Sequence, residues 1–142
     1  MLRTASAVWS GNLKQGKGYI STQSKVLSDT PYGFNTRFED GPGTNPEELI
    51  GAAHAGCFTM ALAARLTEMK LPIERLHTTA KVTLEQSGKE FTITAVDLEL
   101  QATIPGIEKT EFEKIAHEVK QACPVSKVLN AKISLVVTLD NN

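Results

Sequence analysis

Asn45-Pro46-Glu47-Glu48-Leu49-Ile50-Gly51-Ala52-Ala53-His54-Ala55-Gly56-Cys57-Phe58 carries the clearest helix start in the chain. Asn45 has the short polar side chain of a good N-cap, and Pro46 suits the first helical position. Glu47 and Glu48 complement the positive end of the helix dipole. The helix is expected to run to Lys70, with Pro72 closing it. Ala52, Ala53, Ala55, Gly56, Ala61, Ala63 and Ala64 make it small or apolar on nearly every side. A helix of that kind is buried, with other backbone packed close against it.

Outward from this helix the patterns are those of strands. Ala5 to Leu13 sets Ala7, Trp9 and Gly11 against Val8, Ser10 and Asn12, and Gly16-Lys17-Gly18 turns it into a second strand, Tyr19 to Gln23. Phe34 to Phe38 reads as a third short strand, giving an antiparallel N-terminal sheet. Leu76 to Glu85 and Glu90 to Thr103 alternate with period two, joined through a hairpin turn at Gln86-Ser87-Gly88-Lys89. Glu108 to Ala122 is an amphipathic helix with Phe112, Ile115, Ala116 and Val119 inward. Cys123-Pro124 opens a short helix, and Lys132 to Leu139 is a last strand with Ile133, Leu135 and Val137 on one face. The expected class is α+β, with antiparallel strands around a central buried helix.

With 142 residues the chain fits one domain, taken as 1–142. Hydrophobic residues at 41% and charged residues at 22% are ordinary for a globular chain and argue against disorder. Fifteen basic against sixteen acidic residues leave a net charge of −1, without the positive stripe that nucleic acid or an anionic membrane calls for. Residues 1–9 lack the apolar run of a secretory signal. Leu49 to Ala64 reads as too short and too interrupted to span a bilayer. The expectation is a cytoplasmic protein, where two cysteines would pair transiently, for chemistry, rather than as a structural staple.

Cys57 lies inside the apolar helix and reads equally as a small core residue or as a reactive thiol. Cys123 precedes a proline that can occupy the first helical position, so it reads as an N-cap whose free N–H groups favour a thiolate, or simply as a cap. Arg37, between Phe34 and Phe38, either snorkels to water or guards an anion. His54 is a base for a Cys–His nucleophile on one reading and a satisfied core residue on the other. Three scattered histidines and two cysteines lack metal-ligand spacing, and Lys14 to Gly18 is no phosphate-binding loop.

Three blocks, Pro31-Tyr32-Gly33-Phe34-Asn35-Thr36-Arg37-Phe38-Glu39, Gly43 to Phe58 and Ala122-Cys123-Pro124-Val125-Ser126, together resemble the OsmC (osmotically inducible protein C) family, in its order and across almost the whole chain. The Tyr-Gly-Phe-Asn-Thr-Arg-Phe block and the Ala-His-Ala element favour that branch over the organic hydroperoxide resistance branch. The resemblance implies a thiol-dependent peroxidase of oxidative and osmotic stress defence. It would act on organic hydroperoxides better than on hydrogen peroxide, with an external dithiol as reductant. It further implies an intertwined homodimer and no metal or cofactor. Cys57 matches the peroxidatic cysteine and Cys123 the resolving one. Arg37 matches the active-site arginine and Glu47 the carboxylate that orients it. Phe34, Phe38, Phe58 and Met60 are expected to suit an alkyl or lipid tail.

Glu48, at the third helical position, is expected to reach back to the Asn45 N–H in a capping box, leaving Glu47 for the site. Ten residues of straight helix span about 15 Å, so Glu47 must act through Arg37, through a break near Gly51, or across a dimer interface. Rival readings are a redox sensor using the same cysteines, a Cys57–His54 hydrolase, and a plain structural or binding domain.

Overall fold

The computed structural model describes residues 1–140. The backbone groups into two compact units, the first Met1–Leu49 and the second from Ile50 onward. In the first unit, β1 (Ala5–Ser10), β2 (Lys17–Thr22) and β3 (Thr30–Tyr32) form an antiparallel sheet in the order β1-β2-β3. The third strand is not where the sequence pattern places it. Phe34–Phe38 is a helical turn, α1, and the strand is Thr30–Tyr32 just before it. Phe34, Thr36 and Phe38 satisfy a period of two, but Phe34 and Phe38 also stand one helical turn apart. Local bonding decides for the helix. The Gly33 N–H donates to Thr36 Oγ1 (2.8 Å), the Thr36 hydroxyl lies 3.0 Å from the Gly33 carbonyl, and the Arg37 N–H donates to the same carbonyl (3.1 Å).

Gly43 fastens the next connection. Its φ of +124° suits glycine, and a Cβ there would lie 2.4 Å from the Pro31 carbonyl oxygen. That close approach lets the Thr44 N–H donate to Pro31 (2.9 Å). The long helix α2 (Pro46–Glu68) then begins at the expected cap, with the Glu48 N–H donating to Asn45 Oδ1 (2.8 Å). The Asn45 side-chain amide also donates to the Thr36 carbonyl (3.0 Å), tying α1 to the start of α2. The reciprocal half of the capping box is replaced: the Glu48 carboxylate accepts from Thr44 Oγ1 (2.8 Å).

The second unit packs the rest of α2 and α3 (Lys109–Ala122) around a sheet of β4 (Arg75–Ser87), β5 (Glu90–Thr103) and β6 (Lys132–Leu139), ordered β4-β5-β6. β4 and β5 form the expected long antiparallel hairpin, turning at Gly88 with φ +64°. β6 departs from the expected antiparallel pattern, because it pairs parallel to β5. The return between them is made by α3 and α4 (Pro124–Val128), a helical crossover of the kind parallel strands need.

Phe58, Leu62 and Leu66 of α2 join Val96, Leu98 and Leu100 of β5 and the four inward residues of α3 in one core. Each such side chain contributes about 1.5–3 kcal/mol by leaving water. Gly51 brings α2 close to β4: a Cβ there would meet Val82 Cγ2 at 3.3 Å. Thr59 Oγ1 lies 2.7 Å from Thr78 Oγ1 of the same strand.

α2 is buried on one face only. Ala52, Ala53, Gly56 and Ala64 are exposed, and Met60 is 77% exposed. By length and composition its 23 residues are also enough to cross a membrane, which the shorter Leu49 to Ala64 stretch did not suggest. Such a test is passed equally by core helices, and Phe58, Leu62 and Leu66, all 0% exposed, give α2 the core role.

Candidate active site

Two groups of side chains stand out, one in each unit. In the second, Cys57 sits midway along α2 and Cys123 between α3 and α4. Pro124 explains the break, since the residue before a proline is driven out of helical conformation. Cys123 has φ −59° and ψ 125°, ends α3 through its N–H to Val119 (2.9 Å), and starts α4 with Pro124 in the first turn. The two thiols, 66 residues apart, are free and meet with Sγ–Sγ 3.1 Å. A disulfide needs about 2.05 Å, so the reduced pair stands about an ångström from its bond. Cys123 is 0% exposed and Cys57 half-buried. A molecule arriving from outside therefore reaches Cys57 first.

Burial pushes the Cys57 thiol up; the Val125 amide opposes this, while the hydrogen bond and charge of Cys123 add to it. At Cys123 burial also favours the neutral form. The Ser126 amide, the Cys57 thiol, the Val125 amide and the Ser126 hydroxyl outweigh it and bring that thiol below its usual range. The N-cap reading of Cys123 anticipates this direction, although no full side-chain cap bond closes. The groups acting on Cys57 are burial, an amide and its neighbouring thiol. They do not by themselves make it an activated nucleophile.

His54 is 0% exposed; its Nε2 lies 2.8 Å from Ser126 Oγ, and burial lowers its pKa. The Cys57–His54 hydrolase gains nothing from this arrangement, because the polar contact of His54 is with Ser126. Nor is His54 the satisfied core residue of the milder reading, since its Nδ1 is buried without a hydrogen-bond partner. The contact with Ser126 was not foreseen: nothing in its own sequence position points to a histidine 72 residues away.

In the first unit, Arg37 Nε donates to Glu47 Oε1 at 2.9 Å. Glu47 is buried, and the arginine side chain is 37% exposed. α2 runs unbroken from Pro46 to Glu68, without the break near Gly51, and the Glu47 carboxylate pairs with Arg37 directly. The guanidinium carbon stands 5.4 Å from the Phe38 ring centre, and Phe34 and Phe38 lie 5.1 Å apart. Trp9, Leu13, Tyr32, Phe34, Phe38 and Arg37 line a cleft of 330 Å³. Phe34 and Phe38 thus fit the expected apolar wall. Phe58 does not, being a fully buried core residue, and Met60 lies on the opposite, exposed side of α2. Among the described residues no cluster of three or more His, Cys, Asp or Glu gathers to hold a metal ion.

Fold and thiols together define an α+β fold with a dithiol pair, one sulfur open and one enclosed. The chain belongs to the OsmC family, whose sequence profile, described as "OsmC-like protein", matches residues 39–138. It is 49% identical over 133 residues to Peroxiredoxin OsmC of Escherichia coli (strain K12), covering 94% of this chain and 93% of that one. It is 34% identical over 101 residues to the Organic hydroperoxide resistance protein of Xanthomonas axonopodis pv. citri (strain 306), covering 70% and 68%. Among solved structures, an OsmC-like protein of unknown function from Vibrio cholerae O1 biovar eltor superposes with a TM-score of 0.78 at 16% identity, over 97% of this chain and 99% of that one. That last likeness speaks to the fold alone.

Proposed function

We propose that this chain is a thiol-dependent peroxidase that reduces organic hydroperoxides, and hydrogen peroxide less well, to alcohols or water. The observation that carries the reading is the pair of free thiols 3.1 Å apart with unequal exposure. The names of the relatives, Peroxiredoxin OsmC and Organic hydroperoxide resistance protein, support it.

The geometry supports the following chemistry. The Cys57 thiolate attacks the distal oxygen of the hydroperoxide; the O–O bond breaks, leaving a sulfenic acid on Cys57 and an alkoxide that takes up a proton as the alcohol. Cys123 then condenses with the sulfenic acid, releasing water and forming the disulfide. An external dithiol reduces it by exchange. Burial works against the Cys57 thiolate, so the reading needs a cation. Arg37 is assigned that role, from this chain or from a second copy of it, holding first the thiolate and then the developing alkoxide. Glu47 fixes the guanidinium through Nε. The apolar cleft around Arg37 suits an alkyl or lipid tail.

Residues 1–142 are taken as one working domain, and the cytoplasm, where free thiols stay reduced, as its compartment. The exposed small-residue face of α2 supports a homodimer, since a contiguous apolar surface of that kind calls for cover. The test is consumption of cumene hydroperoxide and of hydrogen peroxide under excess dithiothreitol, then under a lipoyl dithiol. Sustained turnover, faster with the organic substrate, is expected. A single stoichiometric oxidation without turnover indicates a redox sensor instead.

A further inference from the structure

A disulfide between Cys57 and Cys123 has to be opened again, and its two sulfurs are not equivalent. Cys123 is 0% exposed at the joint of α3 and α4, whereas Cys57 is half-buried and keeps an outward side. The reduced sulfurs stand 3.1 Å apart and a disulfide needs about 2.05 Å, so closure leaves that inequality in place. We infer that the reductant's thiolate attacks the Cys57 sulfur, that Cys123 is the leaving group, and that the mixed disulfide forms on Cys57. The inference rests on the peroxidase reading for its place in the cycle and adds the direction in which the disulfide opens.

The first support is access. Exchange is a direct attack of a thiolate on one sulfur, from the side opposite the sulfur that leaves. Cys57 offers that side to the outside. Cys123 belongs to the same buried cluster as Phe58, Phe112 and Val119, and an attack on it needs that core to open. The second support is the leaving group, since the sulfur whose thiolate is better held leaves faster. Burial disfavours a Cys123 thiolate, but the Ser126 amide, the Cys57 thiol, the Val125 amide and the Ser126 hydroxyl outweigh it. The two amides and the hydroxyl belong to Val125 and Ser126 and do not depend on the state of Cys57. At Cys57 itself, burial and then Cys123 act against the thiolate, with the Val125 amide opposing.

The Cys57–Cys123 bond breaks as a bond forms between Cys57 and the reductant's sulfur. The electron pair of the old bond goes to Cys123, whose sulfur is reduced while the attacking sulfur is oxidised. The reductant's second thiolate then attacks its own sulfur in the mixed disulfide and releases Cys57. The two protons given up by the reductant balance the two gained by the cysteines. Net, one protein disulfide and one external dithiol become two protein thiols and one external disulfide.

The test maps the mixed disulfide in the full-length protein. The disulfide is closed with diamide, which is reduced to its hydrazine, so no peroxidase activity is needed. Glutathione in excess is added, the mixture is quenched in acid, and free thiols are capped with N-ethylmaleimide in denaturant. Mass spectrometry is expected to find glutathione on Cys57 and the cap on Cys123. Glutathione on Cys123, or on both equally, overturns the inference, as does a pair that diamide cannot close. Single-thiol variants read the same access without a transient adduct. The thiolate of Cys57 in Cys123→Ser should react with dithiobis(nitrobenzoate), at its high-pH plateau, about tenfold or more faster than that of Cys123 in Cys57→Ser, because an enclosed thiol reacts only in opened molecules. Equal rates, or a faster Cys123, overturn the inference as well. Failure to consume hydroperoxide, with glutathione still found on Cys57, overturns the peroxidase reading alone.

Discussion

Cys123 Sγ lies 3.1 Å from Cys57 Sγ, yet only Cys57 has a face toward the outside. On the peroxidase reading proposed above, this inequality orders the chemistry: a hydroperoxide approaching from solvent meets Cys57, and Cys123 stands behind it to meet the sulfenic acid. Pro124 holds that order in place by fixing Cys123 at the joint of α3 and α4 rather than on either helix.

Removing Cys123 should change how Cys57 titrates. Burial, then the hydrogen bond and charge of Cys123, all raise the Cys57 pKa, with the Val125 amide opposing. In Cys123→Ala the contributions of Cys123 vanish, so the midpoint of Cys57 alkylation by iodoacetamide moves to lower pH. At a fixed pH below that midpoint the thiolate fraction rises and alkylation speeds up. A midpoint that stays or rises contradicts this account of the pair.

Glu47 and Glu48 are neighbours with different partners, Arg37 and Thr44. Glu47→Gln should lower the peroxidase rate by roughly one to two orders of magnitude, as loss of an oriented charge at a reacting site does. Glu48→Gln should cost at most about 1 kcal/mol of stability, the scale of a helix cap, and do less to the rate. Arg37→Lys should resemble Glu47→Gln, because a lysine offers no Nε fork. The reverse ranking in paired kinetics and melting curves would overturn the assignment.

The exposed face of α2 predicts self-association. Met60, 77% exposed, stands beside Gly56, where an added Cβ meets nothing within 4 Å. Sedimentation at micromolar concentration should show a dimer for the unaltered protein and a shift to monomer for Met60→Glu. A fully active monomeric parent rules the dimer out.

The parts of the fold legible in the sequence were those where one local rule had no competitor. Asn45-Pro46 started α2, the period of two marked β4 and β5, and Phe112, Ile115, Ala116 and Val119 set the inner face of α3. Phe34 to Phe38 misled because five residues satisfy two periods at once, and a threonine hydroxyl on Gly33 tipped the balance. The parallel pairing of β6 is a property of the crossover through α3 and α4, not of β6's own residues. The same holds for the site. Cys57 with Cys123, and Arg37 with Glu47, were singled out through the motifs they sit in, and the members of each pair meet in the fold. The Ser126–His54 contact arises only once α4 is laid against α2, and Phe58 turned inward because its turn of α2 faces the core.

The most direct measurement of the central claim compares Cys57→Ser, Cys123→Ser and the unaltered protein after one equivalent of cumene hydroperoxide. The unaltered protein should yield one equivalent of alcohol and an intrachain Cys57–Cys123 disulfide. Cys123→Ser should yield the alcohol and a trappable sulfenic acid on Cys57, with dithiol-driven turnover impaired. Cys57→Ser should yield neither alcohol nor oxidised thiol. Hydroperoxide consumption that survives in Cys57→Ser would contradict the account.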